Sequence, residues 1–137
     1  MRAWRLAFAI LAWLFVGTVV VQVFFAGVGL FGAGDMRLHV EFGWGVAYLP
    51  ILILLLAWPA RVGRRTMWLC VALFVMGSVV QPSLPGLGDQ LPAVAALHPP
   101  NALFIFWLGL VVAHRGTALY RQAASELAGA PNAADDP

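Results

Sequence analysis

The chain has no lysine and a single cysteine, and acidic and basic residues together make up only 10% of its 137 positions. Each scarcity excludes something. A soluble domain carries about 25% charged residues, so this chain has too little polar surface to cover its apolar residues, which are 62% of the whole. With a mean hydropathy of +0.87, that apolar surface must face lipid. All basic residues are arginine, which reads as a bias of composition rather than chemistry. Cys70 lies inside an apolar run, has no partner for an internal disulfide, and reads as an inert buried thiol. The pI near 9.3 is not a sign of nucleic-acid binding, because the arginines form short clusters beside apolar runs, where they anchor topology. Nucleic acid is therefore not an expected partner. The sequence also lacks a glycine-rich phosphate loop, a serine or cysteine nucleophile spaced from a base, and a pair of carboxylates within an apolar run. The local spacing of a structural zinc site is missing as well.

What remains is four apolar runs, each to be compared with the roughly 20 helical residues that cross a bilayer core. They cover about residues 6–31, 38–58, 67–81 and 99–114. The first follows Met1–Arg5 in the order of a signal peptide. It far exceeds the 7–15 residues of a signal-peptide core, however, and reads as a retained transmembrane helix. Gly32-Ala33-Gly34-Asp35 ends it. The second run contains Pro50, expected to kink it, and meets Pro59 near its end. Arg61, Arg64 and Arg65 lie in the connection to the third run, which Pro82 is expected to close. Residues 83–97 form the longest connection, with one helical turn expected near Ala93–Leu97. The fourth run starts at Pro99 or Pro100, where a missing N–H is harmless. Beyond it, residues 116–137 form an extension, helical at first and then a disordered acidic tail. No repeat at solenoid spacing is visible.

The expected fold is all-α, an integral membrane four-helix bundle of up-down-up-down topology. Seven arginines fall on one side of such a bundle and only Arg37 on the other, so both termini are expected to be cytoplasmic. His39 and His98 then begin the second and fourth helices at the same outer depth, on diagonal helices of the bundle.

Polar side chains in membrane spans usually face the bundle interior. Gln22, His39, Gln81, His98 and Asn101 all fall in the outer half, with Arg37, Glu41, Asp35 and Asp89 beside them, whereas the inner half is almost purely apolar. Below His39 the same helical face carries Gly43, Val46 and Pro50; below His98 it carries Ala102, Ile105 and Gly109. Such small residues suit either close helix packing or a flat ligand. For a b-type haem, two imidazoles on facing helices would be the axial ligands, which makes His39 and His98 the candidate metal ligands, with a carboxylate or a carbonyl on each other ring nitrogen, Asp35 or Glu41 among the candidates, and Arg37 as a partner for a propionate. Taken singly, His39 reads equally as an interfacial polar residue and His98 as a helix cap. His114 lies at the opposite end beside Arg115 and reads as an anchor.

Val21–Phe31 (VQVFFAGVGLF), His39–Gly45 (HVEFGWG), Gln81–Pro85 (QPSLP) and Ala96–Leu103 (ALHPPNAL) resemble a family of small four-helix bacterial membrane proteins known mainly as a domain of unknown function. The resemblance covers about residues 21–115 and implies a bacterial plasma membrane, but no activity. More distantly, the architecture is similar to one half of haem A synthase, in which histidines on the second and fourth helices face a haem. There an acidic residue stands three positions before the first histidine; here Met36 stands there, and Glu41 follows instead.

Two functions of different kinds follow. One is a redox protein holding a b-type haem at the outer face, with Gln22, Gln81 and Asn101 around His39 and His98 and with Arg37 and Glu41 nearby. The other is a membrane subunit or scaffold without a cofactor, whose histidines and glutamines are hydrogen-bond partners between helices. The bilayer is the expected partner in both, along with another membrane protein or a second copy of the chain.

Overall fold

The structure, a computed structural model, describes residues 1–128; the expected acidic tail, 129–137, lies outside them. The described residues are all helical apart from short connections, and four helices are long and apolar enough to cross a membrane.

The first helix, Arg2–Leu30, begins before its apolar run and stops at Phe31. Gly32, at a φ of 70°, makes the turn that L side chains resist. The second helix, Arg37–Ala60, runs through both Pro50 and Pro59. It ends on Arg61, a non-glycine residue in the left-handed region with φ 52°. Arg37 opens this helix with its backbone N–H donating to the Asp35 carboxylate at 2.8 Å, a bond favoured at a helix start.

The third span differs from expectation. It begins as an α-helix over Arg64–Phe74, widens into a π-helical stretch over Val75–Val80, and continues through Gln81–Ser83, so Pro82 does not close it. The widened turn stands just ahead of the proline, where a regular turn would meet the ring. It also lies against Pro50 of the second helix: a Cβ on Gly77 would come within 3.1 Å of the Pro50 ring. Pro50 has no N–H to give one turn back. Beside it, the Ser78 hydroxyl donates to the Ala47 carbonyl at 2.6 Å, the kind of bond by which a neighbouring helix satisfies backbone near a proline.

A 3-10 turn at Pro85–Leu87 and a one-turn helix at Pro92–Ala95 occupy the long connection. The last helix, His98–Ala128, carries Pro99 and Pro100 in its first turn and continues well past the apolar run.

The first helix packs against both the second and the last, and the third span packs against the same two. Arg5, near the start of the first helix, reaches the Ala60 carbonyl at 3.4 Å and the Leu119 carbonyl at 3.3 Å. Phe8, Phe15, Ile53, Cys70, Leu73, Leu108 and Val112 form a sealed core toward this arginine-rich end. Gly109 and Gly116 let the last helix approach closely, since a Cβ on either would meet the ring of Phe15 or Phe8 at about 3 Å. At the opposite end the bundle is not filled: a cavity of about 700 Å³ lies between the four spans. The polar residues are found at that end.

Candidate functional site: two glutamine–histidine units

Gln22 sits in the last third of the first helix and His39 in the first turn of the second, so the glycine turn between them sets them side by side. The His39 Nδ1 lies 3.0 Å from the Gln22 carbonyl. A carbonyl can only accept, so Nδ1 carries the proton, and in a neutral ring Nε2 is then a bare lone pair. That lone pair accepts from the Gln22 side-chain amide at 3.3 Å, and the same amide donates to the His39 carbonyl at 2.8 Å. Both contacts require the amide nitrogen on that side, which fixes the orientation of the Gln22 group.

The third span and the last helix repeat the arrangement. His98 Nδ1 donates to the Gln81 carbonyl at 3.0 Å, and the Gln81 amide donates to His98 Nε2 at 3.2 Å. Each glutamine precedes its histidine by 17 residues. The two imidazoles meet edge to face, with ring centres 6.2 Å apart and planes at 75°. The sequence placed His39 and His98 at one depth and left open whether they approach each other; in the structure they do.

The units differ in one respect. Asn101 donates to the Gln81 side-chain oxygen at 2.7 Å and to the Met76 carbonyl at 3.2 Å, so the second amide is satisfied on both ends. In the first unit the side-chain oxygen of Gln22 is buried and has no partner among the described residues. The position matching Asn101 is Phe42, whose ring packs edge to face on Phe25 at 5.2 Å. Gly43 makes room for the first unit, because a Cβ there would lie 2.6 Å from the Gln22 amide nitrogen.

Gln22, His39, Gln81 and His98 line the cavity, and Gly43, Val46, Ala102 and Ile105 from the faces below the histidines line it too. Pro50 and Gly109 of those faces are instead used in helix packing. Arg37 and Glu41 are not drawn in. They form an exposed ion pair with each other, one turn apart on the surface of the second helix. Of the two kinds of partner expected for the ring nitrogens, the structure uses the carbonyl, from Gln22 and Gln81, and not the carboxylate of Glu41 or Asp35. Those carboxylates are held elsewhere, by Arg37 and by a backbone N–H. His114 stands at the other end, edge-on to Trp13 at 5.1 Å. Among the described residues no group of three or more His, Cys, Asp or Glu side chains could hold a metal ion.

Reading the sequence for single residues missed that the two units are tandem copies. A shift of 59 positions places Gln22 on Gln81 and His39 on His98, and also Leu14-Phe15-Val16 on Leu73-Phe74-Val75 and Val20-Val21 on Val79-Val80. Gly27, Gly29 and Leu38 fall on Gly86, Gly88 and Leu97 under the same shift. The signal was present without a gap, at a period longer than solenoid repeats. The bundle is two similar helix pairs, each contributing one glutamine and one histidine to a shared layer.

Comparison with known proteins adds a partial likeness and no activity. The profile of a family of unknown function (DUF6220) matches residues 22–83, from the glutamine of the first unit to just past that of the second. No curated protein and no solved structure matches the chain.

Proposed function

We propose that this multi-pass membrane protein is a b-type haem protein of the bacterial plasma membrane, in which His39 and His98 would hold the haem. In this reading the four helices form an up-down-up-down bundle with cytoplasmic termini, and the haem lies toward the outer face. The observation that carries it is the pairing of the two imidazoles. Their ring centres stand 6.2 Å apart, near enough for one bound group to be held by both histidines. The tautomer also suits ligation. Each Nδ1–H is held by a carbonyl, which orients the ring and leaves Nε2 as the donor. A cavity of about 700 Å³ beside both rings falls within the usual range for cofactor pockets. When bound, haem would supply one-electron chemistry. The chain's own part is to hold the two rings, exclude water with Val19, Val46 and Ile105, and move the Gln22 and Gln81 amides off the Nε2 lone pairs. Arg37 would have to leave Glu41 to meet a propionate.

A second reading has its own observation. Both ring nitrogens of each histidine are already hydrogen-bonded, so the units also serve as staples between helices in a scaffold without a cofactor.

A dithionite-reduced minus oxidised spectrum of the purified protein, expressed with haem supplied, separates the two. A reduced band lost in both His39→Ala and His98→Ala supports bis-histidine ligation. A flat spectrum in the parent protein overturns it and favours the scaffold.

A further inference from the structure

At the arginine-rich end, on the outward side of the first and last helices, a second recess is lined by Trp13, His114, Thr117, Ala118, Arg121 and Gln122. Residues 114, 117, 118 and 121 fall on one helical face, since positions three, four and seven apart stack above one another. Trp13 forms its wall. The indole N–H donates to the Thr117 hydroxyl at 3.0 Å, and that hydroxyl donates to the Ala113 carbonyl at 3.0 Å. Tryptophan and threonine are therefore committed to each other. Among the described residues the His114, Arg121 and Gln122 side chains make no hydrogen bond with protein, and all three are exposed. Among the described residues no carboxylate lines the recess.

We propose that this recess binds the phosphate of an anionic phospholipid. Each group left over can donate, and Arg121 is a permanent cation, whereas a phosphodiester offers only acceptors and a negative charge; guanidinium and phosphate pair through parallel hydrogen bonds. Arg115 on the same stretch adds positive charge, and among the described residues no acidic side chain lines the recess to hold a choline or ethanolamine group. That complementarity selects an anionic over a zwitterionic lipid. One turn along from Trp13, Gly17 is exposed with nothing within 4 Å of where its Cβ would be, so the helix surface there is open to an acyl chain. The site is separate from the histidine layer. It rests on the chain's lying in a bilayer and not on haem.

Native mass spectrometry of the full chain in detergent, with phosphatidylglycerol or phosphatidylcholine added, tests it. One phosphatidylglycerol should remain bound under conditions that strip phosphatidylcholine. Arg121→Gln should weaken retention by about fivefold, the worth of one arginine near a charged membrane surface, and Arg121→Lys should restore part of it. Arg64→Gln, at the same end but outside the recess, should leave retention unchanged. Equal retention of the two lipids overturns the proposal, and so does an equal loss on Arg64→Gln, because either means that the lipid contact is unspecific. The substituted arginines are exposed, and an unchanged melting temperature verifies that each variant folds.

Discussion

Gln22 and Gln81 hold equivalent places in the two units, yet replacing each with leucine should have unequal effects. Gln81→Leu removes the bond to His98 Nε2 and the one from Asn101, and leaves Asn101 with the longer contact to the Met76 carbonyl alone. Hydrogen bonds between helices in a membrane average about 0.6 kcal/mol and reach about 1.7 kcal/mol, so two of them with a stranded amide come to about 1.5–3 kcal/mol. Gln22→Leu also removes two amide contacts, to the His39 ring and carbonyl. It removes at the same time the buried oxygen that has no partner. An unsatisfied buried acceptor costs about 1–3 kcal/mol, which offsets most of the loss. We therefore expect Gln22→Leu to lie within about 1 kcal/mol of the parent, and Gln81→Leu to be less stable than Gln22→Leu by about 1–2 kcal/mol. Unfolding in mixed detergent micelles with increasing dodecyl sulfate, followed by circular dichroism of haem-free protein, measures both. Equal losses, or a larger loss at Gln22, would refute the reasoning that the unpaired oxygen weakens the first unit.

The same asymmetry predicts that Phe42→Asn, which gives the first unit the residue type found in the second, makes Gln22→Leu more costly in that background, as a double-mutant cycle of unfolding free energies would reveal. Gly43→Val should push the Gln22 amide away from His39; nitrogen NMR of labelled imidazole should then show an altered His39 environment with His98 unchanged. Gly109→Val brings a side chain against the Phe15 ring in the sealed core and should cost about 1–3 kcal/mol by overpacking, read from the same unfolding curve. Arg61→Gly relieves a left-handed backbone at the end of the second helix and should raise stability by about 1 kcal/mol; a lower melting temperature would contradict this.

Composition and run length by themselves determined that the chain is a set of four apolar helices. The reason is solvation: so few charges cannot hold so many apolar residues in water, and a spanning helix satisfies its backbone internally. The sequence also placed the polar residues at one end and His39 and His98 at matching helix starts, because proline, glycine and arginine mark helix ends through backbone geometry and charge. The continuation of the third span past Pro82 was not legible. It depends on a widened turn formed against Pro50 of another helix, a contact between residues far apart in the chain.

The chemistry of the site was decided only in three dimensions. That Nδ1 of each histidine meets a glutamine carbonyl, that Asn101 completes one amide and leaves the other unpaired, and that Glu41 turns outward to Arg37 all follow from how side chains of different helices meet. Periodicity assigns a residue to a helical face. It cannot say which hydrogen-bonding atom on the next helix will stand opposite, because that depends on the crossing and register of the packed helices.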